Sequence, residues 1–145
     1  LGLWSFGRHA RTIPDGSRGP VMRIGKIIIG AAHPPFIIAE MSGNHNQSLD
    51  RALAIVDAAA AAGAHAIKLQ TYTADTMTLE RNEGGFFISD PQSLWVGQSM
   101  HALYGQAHTP WEWHAPIMER SASKGLICFS SPFDESAVDF LETLN

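Results

Sequence analysis

The sequence predicts an α/β fold in which strands and helices alternate and the strands run parallel. Three observations carry that reading. Apolar runs at Phe36-Ile37-Ile38-Ala39-Glu40, from Ala64 to Thr71 and at Leu126-Ile127-Cys128-Phe129 have strand length, and the first is nearly all apolar, as a strand buried on both faces should be. Between and after these runs, apolar residues recur at helical spacing. Each strand also ends in a polar group: Glu40, then Lys68 with Gln70, then Ser131. Repeated βα units fit either an open doubly wound sheet or the first part of a (β/α)8 barrel. The polar strand ends favour the barrel, because there they converge on the catalytic face. A nucleotide-binding open sheet would carry a glycine-rich turn after its first strand, and none is present. The expected fold is the N-terminal portion of a (β/α)8 barrel, about three βα units, incomplete in this chain.

The elements follow in order. Residues 1–21 are rich in Gly, Arg and Pro and read as a non-native or disordered leader before Met22. They lack the apolar core of a signal peptide. Arg23 to Ile29 fits a small hairpin broken at Gly25, and His33-Pro34-Pro35 punctuates before the first strand. Ser42 to Gln47 is a polar loop. Ser48 then fits an N-cap, with Asp50 favourable in the first turn. Leu49, Ala52, Leu53, Val56, Ala59, Ala60 and Gly63 fall on one helical face, and Gly63 stops that helix.

Thr71 to His108 is a long connection, broken at Gly84-Gly85, Pro91 and Gly97, with a short helix expected from Met100 to Ala107. Connections of that length tend to be functional or disordered. Thr109-Pro110-Trp111-Glu112 predicts a helix start, with a capping box and proline in the first turn. Trp111, Ala115, Met118 and Ala122 form its expected apolar stripe, and Gly125 its end. Asp134 can cap a last helix whose apolar face is Ala137, Val138, Leu141 and Leu144. That pattern reaches Asn145 without a stop signal, so residues 22–145 are expected to be one part of a longer barrel.

Lys68 is the residue that demands an explanation. A strand alternates faces, so Ala66, Lys68 and Gln70 share one side while Ile67 and Leu69 take the other. A buried ammonium is costly unless an anion meets it. A substrate phosphate or carboxylate would serve, and so would a carboxylate from a neighbouring strand, for which Glu40 is the candidate. The competing reading is a lysine that snorkels to water at a strand end.

Composition narrows the partners. The net charge of -4 and pI near 5.9 argue against nucleic acid, so an acidic substrate must be drawn by a local basic site. No apolar run approaches a membrane span, and a cytoplasmic location is expected. The single cysteine, Cys128, excludes an intramolecular disulfide and reads as a buried thiol rather than a nucleophile. Among seven histidines, His33, His65, His101, His108 and His114 lack ligand spacing, and His9 lies in the leader. His45 follows Asn44 on the loop after the first strand, which makes the pair candidates for substrate contact and His45 one for substrate or metal; a structural loop histidine is the competing reading. Trp111 and Trp113 could stack on a sugar, but Trp111 lies on the helix stripe and reads as packing.

The run from Phe36 to Gln47, containing Ala39-Glu40-Met41-Ser42-Gly43-Asn44-His45-Asn46-Gln47, resembles the first strand and loop of the sialic acid synthase family. Lys68-Leu69-Gln70-Thr71-Tyr72-Thr73 resembles its second strand, and Phe129-Ser130-Ser131-Pro132-Phe133-Asp134 its third. Leu103-Tyr104 and Thr109-Pro110-Trp111-Glu112-Trp113-His114 look like the pseudaminic acid synthase branch. The likeness runs from about Met22 to Asn145 and rests on three motifs in the right order.

The resemblance implies condensation of phosphoenolpyruvate with an N-acetylated amino sugar, giving a nine-carbon 2-keto acid and phosphate. For the pseudaminate branch the sugar is a 2,4-diacetamido-2,4,6-trideoxy altrose. It implies a divalent metal, Mn2+ or Mg2+, with ligands outside this chain. It also implies a homodimer in which a small antifreeze-like domain, absent here, reaches the partner's site. Lys68, Gln70 and Ser131 fall where the family holds phosphoenolpyruvate, with serine in place of the commoner threonine. Glu40 falls near the sugar carbonyl or its neighbouring hydroxyl, where a carboxylate could handle a proton or orient water. N-acetylneuraminate and legionaminate synthases share Glu40, Lys68 and Gln70, so the product stays open. A Schiff-base aldolase using Lys68 and a non-enzymatic truncated product are the other readings. The 145 residues alone are expected to be inactive and marginally folded.

Overall fold

The structure, a computed structural model, describes residues 13–14 and 20–144. Six strands and five α-helices follow one another along them. An antiparallel sheet comes first: β1 (Ile13–Pro14), β2 (Pro20–Ile24) and β3 (Ile27–Ile29), in that order. Gly25 takes a φ of +58° at the β2–β3 turn, which is the expected hairpin. Parts of the segment read as a leader, residues 13–14 and 20–21, thus pair as strands, and Val21 is buried. The remainder of that segment lies outside the described residues.

The second sheet is parallel, with order β4 (Ile38–Glu40), β5 (Ala66–Thr71), β6 (Ile127–Pro132). A side chain at Gly25 would meet Ile127 Cδ1 at 3.5 Å, so the hairpin turn lies against the amino end of β6. Helix α1 (Leu49–Ala61) is capped by Ser48, whose hydroxyl accepts from the Arg51 N–H at 3.3 Å, and ends before Gly63 at φ +80°. Ala52, Val56 and Ala59 bury its expected face. They meet Ile67, Leu69 and Cys128 from the sheet and Ile117 from α4 (His114–Ser123) in one apolar core. Asp57 on α1 clamps Arg120 on α4 through two bonds of 2.8 and 2.6 Å, and Lys124 joins at 3.3 Å. The helix α5 (Glu135–Glu142) starts where predicted, with the Asp134 carboxylate accepting from the Ala137 N–H at 3.0 Å.

Three expectations need correction. Thr109 does not cap a helix. Pro110 is extended there (ψ 135°), a 3₁₀ turn at Trp111–Trp113 intervenes, and α4 begins only at His114. The buried stripe of α4 is therefore His114, Ile117 and Ser121, and Ala115 and Ala122 face outward. Polar residues occupy that stripe because each is satisfied: Ser121 Oγ donates back to the Ile117 carbonyl at 2.8 Å. On α5, Val138 is exposed, and Phe140 turns inward to stack on Trp111 at 4.6 Å.

The long connection from Thr71 to His108 is ordered. It holds α2 (Ala74–Met77), which Thr73 and Thr76 close with a reciprocal capping box, and α3 (Met100–Ala107), capped by Ser99. Among the described residues no helix is long and apolar enough to cross a membrane.

Candidate active site

In a parallel sheet, residues in register share a face. Glu40 pairs with Lys68, and Lys68 with Phe129; one step further, Gln70 pairs with Ser131. The register therefore brings four of the predicted residues, Glu40, Lys68, Gln70 and Ser131, to one face at the carboxyl ends of three strands. This is the face turned away from α1 and α4, since Ile67 and Leu69 fill the helix side.

Lys68 Nζ lies 2.6 Å from Glu40 Oε2, so the lysine meets the neighbouring carboxylate. Their side chains are 30% and 41% exposed. A pair that open is worth about 0–1 kcal/mol, too little to explain two charges on a sheet face. An ammonium has three N–H donors and Glu40 uses one direction, so Lys68 can hold a second anion without leaving its partner. The Gln70 amide and the Ser131 hydroxyl have no side-chain partner among the described residues. One cation with two neutral hydrogen-bonding groups is a set that fits a small phosphate or carboxylate.

The loop after β4 is held tightly. Ser42, Asn46 and Gln47 all adopt positive φ, near 50°, which side chains other than glycine rarely do. Gln47 Nε2 donates to the carbonyls of Gln106 (2.9 Å) and His108 (2.8 Å), tying the loop to α3. A Cβ at Gly43 would sit 3.0 Å from the Ala107 carbonyl oxygen, so any other residue would have to push α3 back by a few tenths of an ångström. A cavity of about 270 Å³ opens between this loop, α3 and Trp95, with Asn44 and Asn46 on its wall. Asn44 is thus exposed at a cavity, and its amide donates to the Met41 carbonyl at 3.0 Å.

His45 is corrected from a substrate-facing candidate to a structural imidazole. It is fully buried. Nδ1 accepts the Gln47 N–H at 3.2 Å, so Nε2 carries the proton and donates to Thr109 Oγ1 at 3.2 Å. Burial, with a lesser contribution from nearby His108, lowers its pKa. Thr109, displaced from its predicted capping role, is the partner that makes this burial possible.

Behind the open face lies a set that sequence reasoning missed. Thr71 and His114 are fully buried; Thr71 Oγ1 lies 2.7 Å from His114 Nε2 and 2.6 Å from Ser130 Oγ. The signal was legible in the alternation: Thr71 shares the core face with Ile67 and Leu69, and a buried hydroxyl there requires a partner. Cys128, on the same face, has its thiol pushed up to about 11 by burial, which removes it as a nucleophile.

Among the described residues no three His, Cys, Asp or Glu side chains gather to hold a metal ion. Glu40 is the carboxylate of the strand face, and Lys68 already occupies it. These residues do not fit a metal centre, and no chemical step is assigned to one.

The sequence pattern of the NeuB family matches residues 55–145. The chain belongs to the NeuB family. It is 48% identical over 107 residues to the pseudaminic acid synthase of Campylobacter jejuni subsp. jejuni serotype O:2, covering 74% of this chain and 31% of that protein. It is 45% identical over 112 residues to the pseudaminic acid synthase of Helicobacter pylori, covering 77% and 32%. Among solved structures it resembles the N-acetylneuraminic acid synthetase of Leptospira borgpetersenii serovar Hardjo-bovis, determined with citrate. The TM-score is 0.69 at 30% identity, covering 86% of this chain and 38% of that one. The chain thus spans about a third of the length of the curated relatives it matches. The three βα units of this NeuB-family chain form the N-terminal part of the expected barrel.

Proposed function

We propose that this chain supplies the phosphoenolpyruvate-facing strands of a nonulosonic acid synthase of the pseudaminate type. The observation that carries the reading is the shared face of Lys68, Gln70, Ser131 and Glu40 at the strand ends. Lys68 gives the charge-assisted bond to the phosphate or carboxylate of phosphoenolpyruvate. Gln70 and Ser131 supply neutral hydrogen bonds that fix its orientation. Glu40 orients Lys68 while the site is empty and handles a proton at the sugar carbonyl during condensation with a 2,4-diacetamido sugar. Support for the pseudaminate branch, over N-acetylneuraminate or legionaminate, is the 45 to 48% identity to the pseudaminic acid synthases. The divalent metal implied by the resemblance would need ligands other than the described residues.

The Schiff-base reading fares worse. The ion pair with Glu40 engages Lys68 as an ammonium, which has no lone pair to attack a carbonyl. Borohydride treatment with pyruvate is expected to leave no adduct on Lys68.

Lys68→Ala in the full gene product carrying this chain is the direct test. A charge-assisted hydrogen bond contributes about 1.5–3 kcal/mol, so KM for phosphoenolpyruvate should rise about 10- to 150-fold, with sugar binding little changed. Unchanged KM and unchanged turnover would remove Lys68 from the anion site.

A further inference from the structure

We infer that Thr71, His114 and Ser130 form a buried positioning device that sets the ligand-facing groups Gln70 and Ser131. The inference rests on the phosphoenolpyruvate reading above. Its basis is a register: Thr71 follows Gln70 on β5, Ser130 precedes Ser131 on β6, and Gln70 pairs with Ser131. The two hydroxyls therefore stand next to the two ligand-facing residues in the chain, one step beyond on β5 and one step before on β6, on the opposite face of the same strand pair.

The proton order is fixed from one end. The Pro110 carbonyl can only accept, so His114 Nδ1 carries the proton and donates to it at 3.3 Å. Nε2 is then an acceptor, and the Thr71 hydroxyl donates to it at 2.7 Å. Its oxygen is left to accept from Ser130 Oγ at 2.6 Å. The chain of donors runs Ser130, Thr71, His114, Pro110. Burial, the main influence on His114, lowers its pKa and keeps the ring in the neutral form this order needs; nearby Glu112 and the backbone bonds oppose that shift more weakly.

The arrangement couples three elements at one point. It ties the strand ends of β5 and β6 to each other and both to the first turn of α4. Bonds to backbone carbonyls on either side complete the clamp: Phe133 N–H donates to the Thr71 carbonyl at 3.1 Å, and the Trp111 indole N–H donates to the Tyr72 carbonyl at 3.4 Å. A packed core of the same shape would bury three apolar side chains here, but it would not fix the strand ends along the direction of the hydroxyls. Directional bonds do so, and small displacements at a binding site have large consequences.

Variants of the full gene product test this. Thr71→Val keeps shape and removes the hydroxyl. KM for phosphoenolpyruvate should rise about tenfold while KM for the sugar moves less than about twofold, and Thr71→Ser should restore it. In amide NMR spectra the Gln70 and Ser131 signals should shift in Thr71→Val and return in Thr71→Ser. If Thr71→Val does not fold, Ser130→Ala decides, with the same direction and a rise of at least about threefold. Unmoved amide signals, or equal rises in both KM values, overturn the inference. If Lys68→Ala raises KM for phosphoenolpyruvate while neither Thr71→Val nor Ser130→Ala does, the positioning role alone is overturned. If Lys68→Ala has no effect, the ligand reading fails, and the device stands or falls on the NMR signals.

Discussion

The two faces of the β4–β5–β6 sheet obey different rules. On the helix side Ile67, Leu69 and Cys128 are buried, and the polar Thr71 among them has its hydrogen-bond partners. On the other side Lys68 and Glu40, 30% and 41% exposed, pair at 2.6 Å, while Gln70 and Ser131 have no side-chain partners among the described residues. Parallel sheets normally have both faces covered. The face that keeps charged and unpaired polar groups is where the proposed ligand site lies, whereas the face that satisfies its polar groups holds the fold. Substitutions of the charged groups on the open side should therefore act on chemistry, and those of the apolar side chains on the closed side on stability.

The largest expected effect is on the open face. Glu40→Gln in the full gene product keeps size and removes charge and proton-accepting capacity. Turnover should fall by about 10²–10⁴-fold with little change in KM for phosphoenolpyruvate. The melting temperature should barely move, because an exposed pair contributes about 0–1 kcal/mol. Turnover within about a factor of two of the parent would reassign Glu40 as a structural partner of Lys68, and the comparison would lose its chemical half.

On the closed face Leu69→Ala should do the reverse. Leu69 is fully buried between sheet and helices. Removing its side chain should cost about 2–5 kcal/mol in denaturant unfolding, the range for buried leucines. The folded fraction should still use phosphoenolpyruvate with KM within about twofold of the parent. A large change in KM at full folding would mean that the closed face also tunes the site through packing.

Much of this division was legible in the sequence. Period-two alternation placed Lys68 and Gln70 opposite Ile67 and Leu69, and parallel strands followed from the βα repeats. Ser48, Gly63 and Asp134 announced the helix ends because each has one obvious local role. Thr109 misled because its local pattern offered a capping box, while the structure uses its hydroxyl for buried His45, 64 residues away in sequence. The α4 stripe slipped by one for the same reason. His114 and Ser121 look polar to any hydropathy pattern, and only distant or backbone partners make them core residues. The open site's geometry was half legible: the residues were named, but the 2.6 Å pairing of Lys68 with Glu40 depends on strand register, which short apolar runs do not fix.

The smallest expected effect lies outside both faces, where α1 and α4 are tied over the closed side. The Arg120 guanidinium, with Lys124 adding to it, holds the Asp57 carboxyl down to about 2, against a weaker opposing effect of burial. A depressed carboxylate contributes stability that is present above its unfolded value, near 3.9, and is lost as pH falls through the folded one. The melting temperature of Asp57→Asn should therefore lie below the parent's by a constant margin from neutral pH to about pH 5. That margin should narrow below about pH 4 and close only below about pH 2, as the parent's carboxylate also becomes neutral. Added salt should shrink it at neutral pH, because the pair is at the surface. Turnover and both KM values should stay at the parent's level, since Asp57 touches neither the strand ends nor the loop after β4. A margin that persists unchanged to pH 2 would mean that Asp57 acts through packing rather than charge. A fall in turnover at full folding would show that the helix layer reaches the open face after all.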